Sequence, residues 1–335
     1  MMKIRRGKQI ASEYLKQNLD KGAHIKDAAA FSIGIVKGNM LERCQICSGA
    51  DAKDLVEIYG FLYRECLGCG TAFVANPPVE EELQAAYRSN YYNTVNGKLF
   101  ANDEIIEYRV RQIAEPKVAF VRENLTTKKN TWLDIGCGNG EILSVAKNQG
   151  FDVLGLEVNP VEIEYASARF GITVRDEFIT RGTLDNYRGR YGVVSLFSVL
   201  EHVLAPNAIL KDVAQIQSSG DNLVIEVPHY PSVSALSQMT FPEHVNRMMH
   251  PPLHLFLFPL AALKDRLAVY GYEVKAAWFF GQDFYEMFST LGLFEQRLNG
   301  SKLHKVLAPL VNDFQQVIDD HGLSDEVLIV AEKIS

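Results

Sequence analysis

What the 335-residue chain lacks narrows what it can be. No uninterrupted apolar run is long enough to span a bilayer, and Met1-Met-Lys-Ile-Arg-Arg6 is not followed by an apolar signal-peptide core. The expectation is a soluble, cytoplasmic protein without a membrane partner. Positive charge is also in short supply, with 34 Lys and Arg against 41 Asp and Glu, a net charge of −7. An extended nucleic-acid surface needs clustered cations, so a small-molecule substrate is favoured. Cysteines number only five, and a reducing compartment keeps them as thiols. Apolar residues, by contrast, make up 47%, ample for the core of one large or two moderate domains.

Four of the five cysteines fall as Cys44-Gln-Ile-Cys47 and Cys66-Leu-Gly-Cys69. Two C-x-x-C knuckles about this far apart match a four-thiolate zinc site with Cys44, Cys47, Cys66 and Cys69 as ligands. A pair of disulfides is the weaker reading, and a redox C-x-x-C would need no second copy. With all four positions filled no water or substrate reaches the ion, so its role is structural. Between the knuckles Leu55 to Tyr63 has strand character, and Gly70 to Ala75 leads into Asn76-Pro-Pro78. A helix then runs from Pro78 to Tyr87, with proline and acids in its first turn.

The stretch Thr131-Trp-Leu-Asp134-Ile-Gly136-Cys137-Gly138-Asn-Gly140 reads as a buried strand entering a glycine-rich turn, with a helix starting at Glu141 and free N–H groups at that start. A dinucleotide fingerprint would place the third glycine one residue later, which makes a NAD-dependent oxidoreductase a distant reading. Asp134 suits a cationic ligand better than a pyrophosphate. Phe151 to Glu157 reads as a second strand ending in an acid. That spacing fits the ribose-diol ligand of nucleotide-binding βαβ units, so Glu157 is the candidate. Downstream, Asn159-Pro160 starts a helix and Gly171 stops it. Strands follow at Ile172–Val174, Tyr191–Phe197, Asn222–His229, Tyr272–Phe280 and Asp325–Lys333, an alternation that implies a parallel sheet covered on both faces.

Leu133-Asp134-Ile-Gly136-Cys137-Gly138-Asn-Gly140 resembles the first motif of class I S-adenosylmethionine (SAM)-dependent methyltransferases. The order of two C-x-x-C knuckles, Asn-Pro-Pro, a Glu-rich helix and Tyr91-Tyr92 resembles the front end of a bacterial group of them acting on sugars, surface glycans and natural products. The resemblance implies an α/β, Rossmann-like seven-stranded sheet with an N-terminal zinc-ribbon subdomain and a helical extension. Its units are residues 1–40 (basic helical extension, one or two short helices), 41–78 (zinc ribbon), 79–128 (helical cover) and 129–335 (SAM domain). The last of these carries a helical insertion at 282–322, a candidate lid or homo-oligomer contact. The implied cofactors are SAM, held by Asp134, Gly136, Cys137, Gly138, Gly140, Glu157 and, at the adenine edge, Asp176, and structural zinc.

Tyr87, Tyr91 and Tyr92 are candidates for the substrate side of the cleft or for packing the ribbon, and Tyr108, Arg109 and Arg111 for reaching a carboxylate or for a solvated helix face. Ser198 to Val203 resembles the family's segment after the fourth strand, and Glu243-His244 the equivalent of a region in sugar methyltransferases. His202 and His244 are therefore the general-base candidates, each with a packing role as the alternative. Tyr191 stands where the family carries aspartate. Phe241 stands where carbon-methylating relatives have tyrosine, which argues against carbon as the acceptor atom. The histidines after Pro228 match no compact ligand pair such as H-E-x-x-H, which argues against a catalytic metal. The leading expectation is a methyltransferase for a small polar acceptor such as a sugar or nucleotide-sugar. The second is a zinc-ribbon binding or regulatory protein on a non-catalytic SAM fold.

Overall fold

The computed structural model describes residues 2–7, 21–88, 103–178, 183–244 and 247–335. Its strands in chain order are β1 (Lys3–Arg6), β2 (Ala52–Ile58), β3 (Phe61–Cys66), β4 (Ala72–Val74), β5 (Thr131–Ile135), β6 (Asp152–Glu157), β7 (Val174–Asp176), β8 (Val193–Phe197), β9 (Asn222–Pro228), β10 (Phe256–Leu257), β11 (Tyr272–Phe280) and β12 (Glu326–Lys333). Tyr91 and Tyr92 lie outside the described residues.

The main sheet runs β1-β11-β12-β9-β8-β5-β6-β7. Its centre, from β9 through β8, β5 and β6 to β7, is parallel. The middle strands bury both faces and read as apolar runs: β9 is buried at every residue and β8 at all but Phe197, whereas the edge strand β7 is largely exposed. From β5 the chain winds outward first through β6 and β7, then returns through β8 and β9 on the other side. That reversal opens a crevice at the carboxyl ends of β5 and β8, where open α/β sheets place their ligands. β12 is antiparallel to both β9 and β11, so the last two strands close the sheet as a hairpin.

The seven-stranded expectation is corrected by an eighth strand. Lys3–Arg6 pairs parallel to β11, opposite Ala276 to Phe279, so part of the basic N-terminus belongs to the main sheet. Trp278 Nε1 donates to the Gly7 carbonyl at 3.1 Å and the Arg5 guanidinium lies 4.1 Å from the Trp278 ring centroid, which anchors this edge. The pattern Lys-Ile-Arg-Arg carries little apolar signal and the strand stays largely exposed, Ile4 included, so pairing with β11 rather than burial makes it a strand. Among the described residues, Lys21–Gly34 is the helix of this region, tied down by Ser32 Oγ donating to the Pro251 carbonyl at 2.6 Å.

The cysteine segment forms a second sheet, β10-β4-β3-β2. The single strand-like run from Leu55 to Tyr63 is a hairpin turning at Tyr59 and Gly60, both at positive φ (52° and 80°), as a two-residue primed turn requires. Asn76 holds it from the side, its Oδ1 accepting from Leu62 N and its Nδ2 donating to the Gly60 carbonyl. The fourth strand, Phe256–Leu257, comes from far along the chain and pairs antiparallel with β4. Residues beyond β9 therefore lock the small sheet onto the large one, and a single apolar cluster runs from Phe61 and Phe73 through Phe256 and Phe258 to Leu196 and Ile225.

The helices end where the residues dictate. Asn159 Oδ1 accepts from Val161 N at 3.0 Å and Glu162 N at 3.4 Å, Pro160 opens the helix Pro160–Phe170, and Gly171 at φ 61° closes it. Before β5, the helices Asp103–Arg109 and Glu115–Glu123 are joined by a π-type turn over Val110–Ala114 just ahead of Pro116. Residues 283–320 contain the helices Asp283–Phe294, Lys302–Leu307 and Val311–Asp320. Among the described residues, no helix is long and apolar enough to cross a membrane.

Candidate active site

The loop after β5 turns through three glycines at positive φ: Gly136 (69°), Gly138 (52°) and Gly140 (81°). They are not equivalent. A Cβ at Gly136 would sit 2.7 Å from Val199 Cγ2, and one at Gly140 would sit 2.9 Å from Ala166 Cβ, so these two permit close packing of neighbouring elements. At Gly138 the nearest atom would be a Glu162 carboxylate oxygen at 3.8 Å. Gly138 is the point where a ligand has room to meet the backbone.

Five of the N–H groups along the loop and helix start are already spent. Gly136 N and Cys137 N both donate to the Leu156 carbonyl, Gly140 N to the Cys137 carbonyl, and Glu141 N to Asn139 Oδ1. Gly138 N donates to Glu157 Oε2 at 2.9 Å. The free N–H groups expected at this helix start are therefore absent at Glu141. The cradle offers carboxylates instead, which suits hydroxyl donors and cations and repels a phosphate.

Glu157 is half-buried at the end of β6, with its Oε1 accepting from Val158 N at 2.7 Å and Asn159 N at 3.0 Å. Each carboxylate oxygen has two acceptor positions, so a carboxylate fixed by three backbone N–H groups keeps one, on Oε2, for a ribose hydroxyl. Glu162 faces the same loop. Burial, then the nearby Glu157 charge, pushes its pKa up to about 8. Asp176 is paired in register beside Glu157 at the end of β7 and is exposed.

Asp134 and Cys137 point inward. Asp134 is 2% exposed, and its Oδ1 accepts from Ser195 Oγ at 2.5 Å, which in turn accepts from Trp132 Nε1 at 2.7 Å. Burial pushes the Asp134 pKa up to about 7. The Cys137 side chain packs against Gly155 in the core, and burial raises its thiol far above the usual range. Arg109, a candidate for meeting a carboxylate, meets one of the protein's own: its Nε donates to Glu141 Oε1 at 2.7 Å. Arg111 is exposed.

The opposite lip follows β8. Ser198 adopts φ 53°, a left-handed conformation that non-glycine residues rarely take, and Val199 then covers Gly136. The next turn, Leu200–His202, places His202 with its Nδ1 2.9 Å from the Leu253 carbonyl and its ring 4.8 Å from that of His254. Burial pushes the His202 pKa down to about 4, so the ring is neutral near neutral pH. Tyr87 meets it edge to face, with ring centroids 5.7 Å apart, while the Tyr87 carbonyl accepts from Asn159 Nδ2. Tyr87 thus joins the helix cap beside the glycine loop to the His202 lip. His244 is elsewhere: its ring centroid lies 3.8 Å from that of Phe294 in the helical insertion, and its turn packs against β2.

A buried ionic array that sequence reasoning missed lies beneath this lip. Glu226 on β9 receives Lys117 Nζ at 2.6 Å, and Arg247 pairs with Glu326 at 2.6 Å and Asp325 at 3.1 Å. Burial pushes the Glu226 pKa up to about 7 despite the Lys117 charge. The one sequence signal was a lysine inside the apolar stripe Ala114, Val118, Val121.

The four ribbon cysteines converge. Sγ–Sγ separations are 3.8 Å for Cys44–Cys69 and 3.4 Å for Cys47–Cys66, and all four sulfurs lie within 4.8 Å. No disulfide forms among them. A tetrahedron with metal–sulfur bonds of about 2.3 Å has edges of about 3.8 Å, so the donor set fits zinc. Ile46 N and Gly49 N each lie 3.4 Å from a cysteine sulfur, the backbone donation expected of thiolate ligands.

Residues 105–277 match the family described as a methyltransferase domain, just over half of the chain. Similar curated proteins include the ubiquinone biosynthesis O-methyltransferases of Escherichia coli O9:H4 (strain HS), 27% identical over 128 residues covering 36% of this chain and 52% of that one, and of Proteus mirabilis (strain HI4320), 32% identical over 98 residues covering 27% and 39%. The chain spans about half the length of the first of these relatives. Among solved structures, a SAM-dependent methyltransferase from Archaeoglobus fulgidus aligns with a TM-score of 0.44 at 19% identity, over 73% of this chain and all of that one. Magnesium protoporphyrin IX methyltransferase from Synechocystis PCC 6803 aligns with a TM-score of 0.48 at 12% identity, over 75% and 99%.

Proposed function

The chain belongs to the methyltransferase-domain family, and on that premise we propose that it is a SAM-dependent methyltransferase acting on a hydroxyl of a small polar acceptor, such as a sugar or nucleotide-sugar. The observation that carries this reading is the glycine loop beneath Glu157 and Glu162, which offers acidic acceptors and has no spare N–H for phosphate at Gly136, Cys137, Gly138, Gly140 or Glu141. When bound, SAM supplies an electrophilic methyl group on a sulfonium cation. The half-buried carboxylate of Glu157 would accept a ribose hydroxyl and supply negative charge toward the cation, and Gly138 would admit the ligand to the backbone. Asp134 holds β5 to β8 through Ser195 and supports the loop from below.

Methyl transfer to oxygen needs alignment and the removal of one proton. The neutral His202 ring at the carboxyl edge of β8 supports a role for it there, with His244 as the alternative base. The O-methyl transfer of the curated relatives supports oxygen as the acceptor atom. The Cys44, Cys47, Cys66 and Cys69 cluster is proposed to hold a structural zinc that fixes the small sheet against the lip.

Calorimetry with SAM, S-adenosylhomocysteine and NAD tests the reading. Binding of the first two and not of NAD is expected; binding of NAD alone overturns it.

A further inference from the structure

We propose that Glu201, His202 and His254 form a second metal site, for one divalent transition-metal ion, separate from the cysteine cluster. One ligand atom from each lies within 4.8 Å of the other two. His202 Nδ1 is 2.9 Å from the Leu253 carbonyl and His254 Nδ1 is 2.9 Å from the Met248 carbonyl. A carbonyl only accepts, so each Nδ1 carries the hydrogen and each Nε2 presents a lone pair. Ligating histidines almost always donate their other ring N–H to a carboxylate, a backbone carbonyl or water, and both rings here meet that condition.

Glu201 supplies the independent observation. It is 1% exposed, its Oε1 stands 3.7 Å from His202 Nε2, and its Oε2 is a buried oxygen with no hydrogen-bond partner among the described residues. Two imidazole lone pairs and a carboxylate converging in the interior without a shared donor are costly, and a cation between them removes the cost. The backbone already fixes this convergence, since Leu255 N donates to the Glu201 carbonyl at 2.7 Å as the chain enters β10. His254 lies 52 positions beyond His202, so no sequence motif could pair them.

Two imidazole nitrogens and one carboxylate suit Zn²⁺, Mn²⁺, Co²⁺ or Fe²⁺ better than Mg²⁺ or Ca²⁺. Three protein ligands leave a coordination position open, as in catalytic sites, for an oxygen of water or acceptor. Val199, two residues before Glu201, covers Gly136, so this position belongs to the same lip as the glycine loop. An ion on His202 Nε2 takes the lone pair that a general base would use, and His202 would then act by holding the ion.

The test is metal counting on the full-length, zinc-loaded protein by equilibrium dialysis against Mn²⁺, read by elemental analysis and by the Mn²⁺ electron paramagnetic resonance signal. One Mn²⁺ per chain is expected, with the cysteine-bound zinc retained. The near-isosteric Glu201→Gln and the His254→Ala variants should weaken Mn²⁺ binding by at least about tenfold, with zinc content and melting temperature recorded beside it. No ion bound to the wild type at millimolar Mn²⁺, or equal Mn²⁺ affinity in Glu201→Gln, rules the site out. SAM binding is a separate readout, so failure here leaves the methyltransferase reading intact.

Discussion

Glu157 Oε2 accepts a hydrogen bond from Gly138 N at 2.9 Å, which ties the end of β6 to the one glycine whose surroundings leave room for a ligand. Removing that carboxylate takes away the proposed ribose-hydroxyl acceptor and leaves the Gly138 N–H without its partner. Glu157→Ala should therefore weaken SAM binding by about thirty- to a hundredfold, the equivalent of about 2–3 kcal/mol. Titration calorimetry measures it, and normal affinity in the variant would remove Glu157 from the cofactor site.

Near-stoichiometric zinc on Cys44, Cys47, Cys66 and Cys69 should appear in freshly purified, reduced protein. Cys66→Ser should release the metal and expose β2, β3 and β4 to hydrogen exchange more than it disturbs SAM affinity, since the cysteine sheet and the glycine loop share no ligand. Elemental analysis of the wild type decides the first point; a metal-free protein sinks it.

The acids facing the loop predict a pH dependence with a definite sign. Glu162 has its folded pKa raised to about 8 against an ordinary 4.5, burial being the main cause. Its contribution to stability is full below about pH 4.5 and is lost as pH rises through about 8. Asp134, raised to about 7, acts in the same direction. Thermal stability without ligand should therefore fall across that window, and Glu162→Gln should flatten the fall. A slope unchanged in the variant would show that Glu162 titrates normally in the folded state.

Lys117 and Glu226 form a pair with side chains only 10% and 3% exposed. Lys117→Ala leaves Glu226 buried without its main cation and should cost about 3–5 kcal/mol by denaturant unfolding. The double change Lys117→Met, Glu226→Leu should recover much of the loss. A single-variant cost below about 1 kcal/mol would mean that water or Arg247 compensates.

The glycine loop, its flanking strands, the closing hairpin and the two cysteine knuckles were legible because each is written locally: an apolar run, a turn residue, a cap. Asn159-Pro160 and Gly171 even fixed the ends of one helix. The parts that were not legible depend on partners distant in sequence. Lys3–Arg6 has no strand pattern of its own and becomes one only beside β11. Phe256–Leu257 is two residues long and becomes a strand only beside β4. The Tyr59-Gly60 turn hid inside a continuous β-prone run, because a primed turn needs just two residues. Side-chain direction was equally hidden: Asp134 and Cys137 lie in the motif as expected, yet burial turns both toward the core while Glu157 and Glu162 face the loop.

His202 sits at the lip and His244 against Phe294, and this separates two histidines that looked alike in the sequence. His202→Ala should lower turnover by about 10² to 10⁴ while SAM affinity stays nearly unchanged, since its recorded partners are Leu253, Glu201, Tyr87 and His254 rather than the glycine loop. His244→Ala should have a small effect. Because burial holds the His202 pKa near 4, the rate should be lost as pH falls through about 4, and not near the ordinary histidine value. An acidic limb that disappears in His244→Ala would transfer the base role to His244. Glu201→Gln then distinguishes how His202 works. A free base would survive the loss of the neighbouring carboxylate, whereas a metal ligand would not, so turnover falling together with Mn²⁺ binding assigns His202 to the ion. If both histidine-to-alanine variants keep full turnover, these rings are packing residues and alignment of the reactants alone carries the transfer.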